Sequence, residues 1–255
     1  MRIAALYDIH GNYPALEAVV QELHIAKPDK VVIGGDIVSG PMPNETMKCL
    51  MELGNDVVWV LGNGDVDVSE RKINGNINNS LSEQAKVITE WVANIIDESM
   101  ARFLISLPIN HFIRDDKLGM IGFCHATPND YNYVFTPVTP NGEVKKVFNN
   151  EMEGYFICGH THIQFEKTID NLKIVNAGSV GMPFSEEHGA EWLLLENGVI
   201  RFMKTKYDID LAKKQIKQTT YPFKDEFIET NVINPKRPEE MIPFLERMRT
   251  KESIA

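Results

Sequence analysis

Several features that would assign this chain to a particular compartment or partner are missing from it. It holds three cysteines, Cys49, Cys124 and Cys158, an odd number without a C-x-x-C pair. Neither a disulfide framework nor a cysteine-ligated zinc is therefore expected, and a reducing cytoplasm fits best. No run of about 18 apolar residues is present, which excludes a transmembrane helix. The first apolar stretch, Ile3 to Tyr7, runs directly into Asp8 and is too short for a secretory signal. Basic residues are scarce, with 26 Lys and Arg against 36 Asp and Glu, a net charge of −10. That balance argues against a nucleic acid polymer or an anionic membrane surface as partner. What remains is an ordinary globular composition of 255 residues, 43% hydrophobic and 24% charged, sufficient for a sizeable core.

The first 65 residues alternate strand and helix signals. Arg2 to Tyr7, Lys30 to Gly34 and Asp56 to Leu61 read as short buried strands. Between them lies a helix with Asn12 as cap, Pro14 in its first turn, and Leu16, Val19, Val20 and Leu23 at helical spacing. A second helix covers Asn44 to Leu53. This β-α-β-α-β order predicts a parallel sheet with right-handed crossovers. Val66 to Ser80, rich in Asn, Gly and charge, reads as a surface loop. Leu81 to Leu107 reads as helical, with Val87, Trp91, Ile95 and Ile96 as a core-facing stripe and Pro108 as its stop. Strands are expected at Leu118 to Cys124, Tyr155 to Cys158, Leu172 to Asn176 and Trp192 to Glu196. The turn Asn197-Gly198 then joins the last of these to Val199 to Lys204. The tail mixes helix and loop from Asp208 and closes with a helix from Glu239 to Lys251. No repeat, low-complexity tract or linker divides the chain, so one domain is expected.

Five of these strands end in residues whose side chains bind metals. The segments are Asp8-Ile9-His10, Gly35-Asp36, Gly62-Asn63-Gly64-Asp65, His125 and Gly159-His160-Thr161-His162. Each is weak alone: Asp-x-His can be a cap beside a packed histidine, and Gly-Asn-Gly-Asp can be a plain turn. Together they place four of the seven histidines at strand carboxyl ends, where open α/β sheets bind ligands. Residues two apart in extended chain point the same way, which would aim Asp8 with His10, and His160 with His162, at one cleft.

The order D-x-H, G-D, G-N-x-D, H and G-H-x-H resembles the calcineurin-like metallophosphoesterase family. The likeness extends through Asn176-Ala177-Gly178-Ser179-Val180-Gly181 to about residue 205. It looks nearest to the small bacterial and archaeal branch of phosphodiesterases and dinucleoside-tetraphosphatase-like proteins. The resemblance implies a four-layer αββα sandwich of two mixed sheets flanked by helices. One domain would span 1–255, with a loop and helical insertion at 66–115 and a C-terminal extension at 208–255. It also implies two divalent metals. Asp8, His10 and His162 would hold one, Asn63, His125 and His160 the second, and Asp36 would bridge them. Asp36, Asn63 and His125 would serve catalysis as well. Carboxylate and imidazole donors suit Mn, Fe, Zn, Co or Ni without choosing among them. Two such ions, about 3.5–4 Å apart, would share a water, lower its pKa to near 7 and clamp the phosphoryl oxygens of a small phosphorylated substrate, nucleotides included.

One position departs from the family pattern. Many relatives read G-N-H-[DE], with a histidine placed to protonate the leaving oxygen, and here that residue is Gly64. Asp65 thereby loses the histidine it would orient. The expected substrates shift toward phosphodiesters and phosphoanhydrides, whose leaving groups need little protonation. The same loss keeps open a second reading, a non-catalytic protein-binding scaffold of the same fold, against which the complete set of seven ligands stands. Tyr131, Tyr133 and His188 are alternative proton donors or plain packing residues. His24 and His111 read as structural, and oligomeric state is not fixed by the sequence.

Overall fold

Alternation along the first strand decides the layering. In β1 (Arg2–Leu6) and its continuation, Ile3, Ala5 and Tyr7 face one core while Ala4 and Leu6 face another. The computed structural model describes residues 1–54, 56–149 and 153–252. β1 pairs in parallel with β2 (Lys30–Ile33), and β2 with β3 (Val57–Trp59). The crossovers are α1 (Tyr13–Ala26) and α2 (Pro43–Met51). Asn12 caps α1 by accepting from the Ala15 N–H. β1 is flanked on its other side by the antiparallel hairpin β9 (Ala190–Glu196) and β10 (Val199–Thr205). Its turn residues Asn197 and Gly198 both have positive φ, as a tight hairpin turn requires.

The second sheet has the order β4-β5-β6-β8-β7. Its strands are β4 (Asn110–Asp115), β5 (Gly119–Cys124), β6 (Gly154–Cys158), β7 (Gln164–Ile169) and β8 (Leu172–Ala177). Ile3, Ala5, Tyr7 and Leu193 of the first sheet pack against Ile121, Phe123, Ile157 and Val175 of the second. The outer face of the first sheet is covered by α1, α2, α4 (Glu83–Ile95) and α5 (Glu98–Ile105). The outer face of the second is covered by α6 (Asn141–Val147) and α9 (Pro238–Glu252), through Val144 and Leu245. Helix, sheet, sheet and helix form the four expected layers. α7 (Ile209–Gln218), α8 (Lys224–Phe227) and a π-helical turn at Ile228–Ile233 pack Ile216, Tyr221 and Phe227 into a fourth apolar cluster beside Met42. Among the described residues no helix is long and apolar enough to cross a membrane.

Four local readings change. The expected loop at 66–80 is largely helix, α3 (Asn63–Asn74), whose only fully apolar buried residue is Val68. Its helical conformation rests instead on its ends: Asp65 accepts from the Gly62 N–H, and Gly75 closes the helix at φ 73°. The segment 81–107 is two helices, because Asp97 breaks the run and caps α5 through the Met100 N–H. Of the expected stripe, Val87 at 46% and Ile95 at 39% exposure face outward, whereas half-buried Trp91 packs against the core and Ile96 is buried. The buried line of α4 is Thr89, Val92 and Ala93, continued by Ile96. β4 and β7 gave no apolar signal because each is an edge strand, where polar residues are tolerated.

The buried Tyr7 hydroxyl donates to the Ile157 carbonyl at 3.0 Å, linking the two sheets. Tyr7→Phe should lower the unfolding free energy by about 1 kcal/mol, the net worth of one buried hydrogen bond. Urea denaturation checks it, with an unchanged midpoint as the contrary result.

Candidate metal centre

Asp8, His10, Asp36, His125 and His162 converge from four loops at one end of the two sheets. Ligand atoms of Asp8, His10 and His162 form one group and those of Asp8, Asp36 and His125 another, each group lying within 4.8 Å. All five residues are buried. The His10 and His162 Nε2 atoms stand 3.1 Å apart, and His162 Nε2 is 3.3 Å from Asp8 Oδ1. Asp36 lies 3.6 Å from both His10 Nε2 and His125 Nε2. Asn63 joins through its Oδ1, 3.0 Å from His125 Nε2. His160 lies edge-on to His125 with ring centres 5.1 Å apart, outside the two clusters.

The backbone achieves this by a route the expected extended geometry does not contain. Asp8, His10, Asp36, His160 and His162 all have left-handed φ, between 48° and 67°. Each such non-glycine residue costs about 1–2 kcal/mol, with Asp and His among the more tolerant. The turns are held from outside. Ser179 Oγ donates to the Asp8 carbonyl, Asn12 Nδ2 to the Gly181 carbonyl, and Asn176 Nδ2 to the Gly159 carbonyl. The Asn176–Gly181 segment therefore clamps the first and fifth motifs together. Glycine permits the close approaches: a Cβ on Gly40 would lie 1.7 Å from the His10 carbonyl oxygen.

Carbonyls facing the imidazoles set their tautomers. His10, His125 and His162 direct Nδ1 at the carbonyls of Ser39, Gly34 and Met182. A carbonyl only accepts, so Nδ1 carries the proton and each Nε2 turns a lone pair inward. His160 is reversed, with Nε2 against the Asn132 carbonyl at 3.0 Å, which leaves its lone pair on Nδ1. Burial pushes His10 below its ordinary pKa, and burial with the neighbouring His125 brings His160 down to about 4. Burial opposes charge on His125 and His162 too, but the Asp36 and Asp8 carboxylates outweigh it and lift both. Burial likewise works against Asp8, yet His162 and His125 hold it well below the usual carboxylate range.

Asp8 Oδ2 accepts from the His160 N–H, while Asp8 Oδ1 is buried and has no hydrogen-bond partner. Around that bare oxygen stand two imidazole lone pairs 3.1 Å apart. A divalent cation would meet the bare carboxylate oxygen and both lone pairs at once, so the donor set fits divalent metal ions.

Asp65 has a different task from the one expected. Its carboxylate accepts from the Ile37 N–H at 2.9 Å and the Gly62 N–H at 3.3 Å, joining the second and third motif loops. Burial and the adjacent Asp36 push its pKa up to about 7. The missing histidine has a local counterpart as well. A Cβ on Gly64 would lie 2.7 Å from Ser39 Oγ and 3.1 Å from Asp36 Oδ1, and the Gly64 N–H donates to that same Asp36 oxygen at 2.7 Å. Ser39, which sequence reasoning did not single out, fills the space a side chain at 64 needs.

Other candidates lie elsewhere. Tyr131 packs on the first sheet's outer core and Tyr133 on the second's, although Asn132 between them touches His160. His188 is bound to the Tyr207 carbonyl at 3.1 Å. His24 and His111 are exposed.

Two mixed sheets between layers of helices, with an imidazole and carboxylate cluster at one end, define an α/β sandwich carrying a candidate metal centre. The profile of the calcineurin-like phosphoesterase superfamily domain matches residues 1–197, and the chain belongs to that family. It is 27% identical to the uncharacterized protein MJ0912 of Methanocaldococcus jannaschii, over 86% of this chain and 93% of that one. The hypothetical protein PH1004 of Pyrococcus horikoshii superposes with a TM-score of 0.77 at 21% identity, covering 92% of this chain and 99% of its own. A metallophosphoesterase from Sphaerobacter thermophilus gives 0.70 at 22% identity, covering 89% and 97%. These two structures share the fold.

The left-handed turns yield a stability test. In metal-free protein, His162→Gly should be more stable than His162→Ala by about 1 kcal/mol. Both variants lose the same imidazole, and only alanine retains a Cβ at φ 58°. Equal urea midpoints would show that this backbone carries no strain.

Proposed function

We propose that this chain is a metal-dependent phosphohydrolase acting on phosphodiesters or nucleotide phosphoanhydrides at a two-metal centre. The observation that carries the reading is the bare, buried Asp8 oxygen among inward-facing imidazole nitrogens, in a chain of the phosphoesterase family. Asp8, His10 and His162 would hold one ion, Asn63, His125 and His160 the other, and Asp36 would bridge them. Bound Mn, Fe, Zn, Co or Ni would supply a hydroxide nucleophile near neutral pH and neutralise charge on the phosphoryl group.

The chain's own residues do the rest. Asn63 is the first residue of α3, so the positive end of that helix lies beside Asp36 and favours an anionic phosphoryl group there. The carbonyls of Gly34, Ser39 and Met182 keep the imidazoles aimed. Asp36, Asn63 and His125 act in catalysis as well as ligation. Position 64 offers no proton, so good leaving groups are favoured over alkoxides. The partner is a small phosphorylated molecule, and the three free cysteines support a cytoplasmic setting. Residues 208–255 extend a single metallophosphoesterase domain, with 66–115 as its insertion.

The test is an activity screen of metal-reconstituted protein with bis-p-nitrophenyl phosphate, p-nitrophenyl phosphate, cyclic nucleotides and dinucleoside polyphosphates. Diesters or anhydrides should far outrun alkyl monoesters, and inactivity across the panel under every metal would defeat the reading. Asp36→Asn should reduce activity more than about 100-fold, beyond what loss of an outer-shell partner costs, and should lose at least one metal by elemental analysis. Retention of both ions at wild-type affinity would contradict a bridging Asp36.

Gly64→His alone should gain little, because the new Cβ meets Ser39 Oγ. The double variant Ser39→Gly with Gly64→His should accelerate alkyl substrates most, toward the roughly 10²–10⁴-fold a placed general acid contributes. A leaving-group series on wild type and both variants at one metal loading measures it. A flat dependence in the wild type, with chemistry rate-limiting, would mean that another group already supplies the proton.

A further inference from the structure

Beyond the matched family region, the C-terminal segment builds a cavity of about 280 Å³ beside the loop that supports His162. Its walls include Tyr221, Phe223 and Phe227 from the extension, and Met182 and Phe184 from the loop that supports His162. That loop belongs to both sites. The Met182 carbonyl accepts from His162 Nδ1 at 2.9 Å, and the Phe184 ring centre lies 5.4 Å from that of His162. The extension is fastened to the loop, because the Ser185 N–H donates to the Lys236 carbonyl at 2.9 Å. Lys236 itself lines the cavity, is exposed, and forms no ion pair among the described residues. Part of the wall is the π-helical turn, through Thr230 and Asn231, a conformation that recurs at functional sites.

We propose that this cavity seats the organic end of the substrate, a flat aromatic ring such as a nucleobase, with Lys236 meeting a phosphate at its mouth. The assignment rests on the phosphoester reading above. Size selects a small ligand, since the volume of about 280 Å³ falls just below the roughly 300–1,000 Å³ typical of ligand pockets. Lining chemistry selects the kind: four aromatic rings offer stacking and edge contacts to a planar group, and Gln84, Thr230, Asn231 and the Glu226 carboxylate, which accepts from Gln84, offer polar groups to its edge. Position selects the role, because a cavity one ring away from a metal-ligand imidazole is within the length of one nucleotide. An unpaired ammonium completes the match to a ligand that joins a ring to a phosphate.

The test fills the cavity without touching the metal ligands. Ala85 lies in α4 on the cavity wall and is only half-buried, so Ala85→Trp adds bulk at a tolerant helical position. Binding of adenosine 5′-monophosphate to Mn²⁺-loaded protein is measured by calorimetry. Rates are measured on two diesters with the same leaving group, methyl p-nitrophenyl phosphate and thymidine 5′-(p-nitrophenyl phosphate). Ala85→Trp should weaken the nucleotide at least tenfold and raise KM for the thymidine diester by a similar factor, leaving kcat/KM for the methyl diester within twofold. Lys236→Gln, a surface change that leaves the fold intact, should weaken the nucleotide several-fold in low salt and less in high salt. Unchanged affinity in both variants, or no nucleotide binding by the wild type, overturns the proposal. Nucleotide binding that Ala85→Trp abolishes, in protein that hydrolyses neither diester, supports the cavity while defeating the hydrolase reading.

Discussion

A carboxylate with one oxygen left bare inside the protein is the constraint around which this molecule is organised. Asp8 is fully buried, one oxygen held by the His160 N–H and the other facing only imidazoles. A buried anion without a partner costs several kcal/mol, and the surrounding groups are arranged as though a cation completed it. The His160 loop comes directly against that carboxylate. Gly159 shows how closely: a Cβ there would stand 2.3 Å from Asp8 Oδ2.

Geometry of that kind does not come from regular structure. Five of the seven candidate ligands adopt left-handed backbone at the ends of strands. The two-layered sheets supply the rigidity that keeps them there, since β1, β2 and β6 are interior strands, paired on both sides. Strain is confined to the loops and the scaffold is regular, which is how functional sites usually distribute it. The Asn176–Gly181 turn contributes no candidate ligand, yet it bonds to the carbonyls of Tyr7 and Asp8 and of Gly159. It is the brace between the two halves of the centre.

Gly64 and Ser39 show how a change at one position is accommodated by another. Without a side chain at 64, the N-terminus of α3 comes close enough for the Gly64 N–H to bond Asp36, and Asp65 turns to fasten two loops. Gly64 and Asp65 thereby cross-link the two loops around the Asp36 carboxylate.

What the sequence determined by itself was the set of candidate ligands and every described strand except β4 and β7. Asp8, His10, Asp36, Asn63, His125, His160 and His162 stand out because their segments follow short apolar runs and share glycine-rich turns. The helix at 13–26 was legible because its apolar spacing, cap and proline agree. Helix α3 was not, since a stretch with one buried valine is held by its caps and neighbours rather than by periodicity. β4 and β7 escaped notice because edge strands need little apolar surface, and the α4 stripe misled because apolar residues lie on more than one face. Only the tertiary structure decided which nitrogen of each histidine faces inward, because that depends on carbonyls such as Gly34, 91 residues from His125. It alone set Ser39 against Gly64 and brought Phe184 and Tyr221 to one cavity, since such contacts are made between chain segments whose spacing carries no mutual signal.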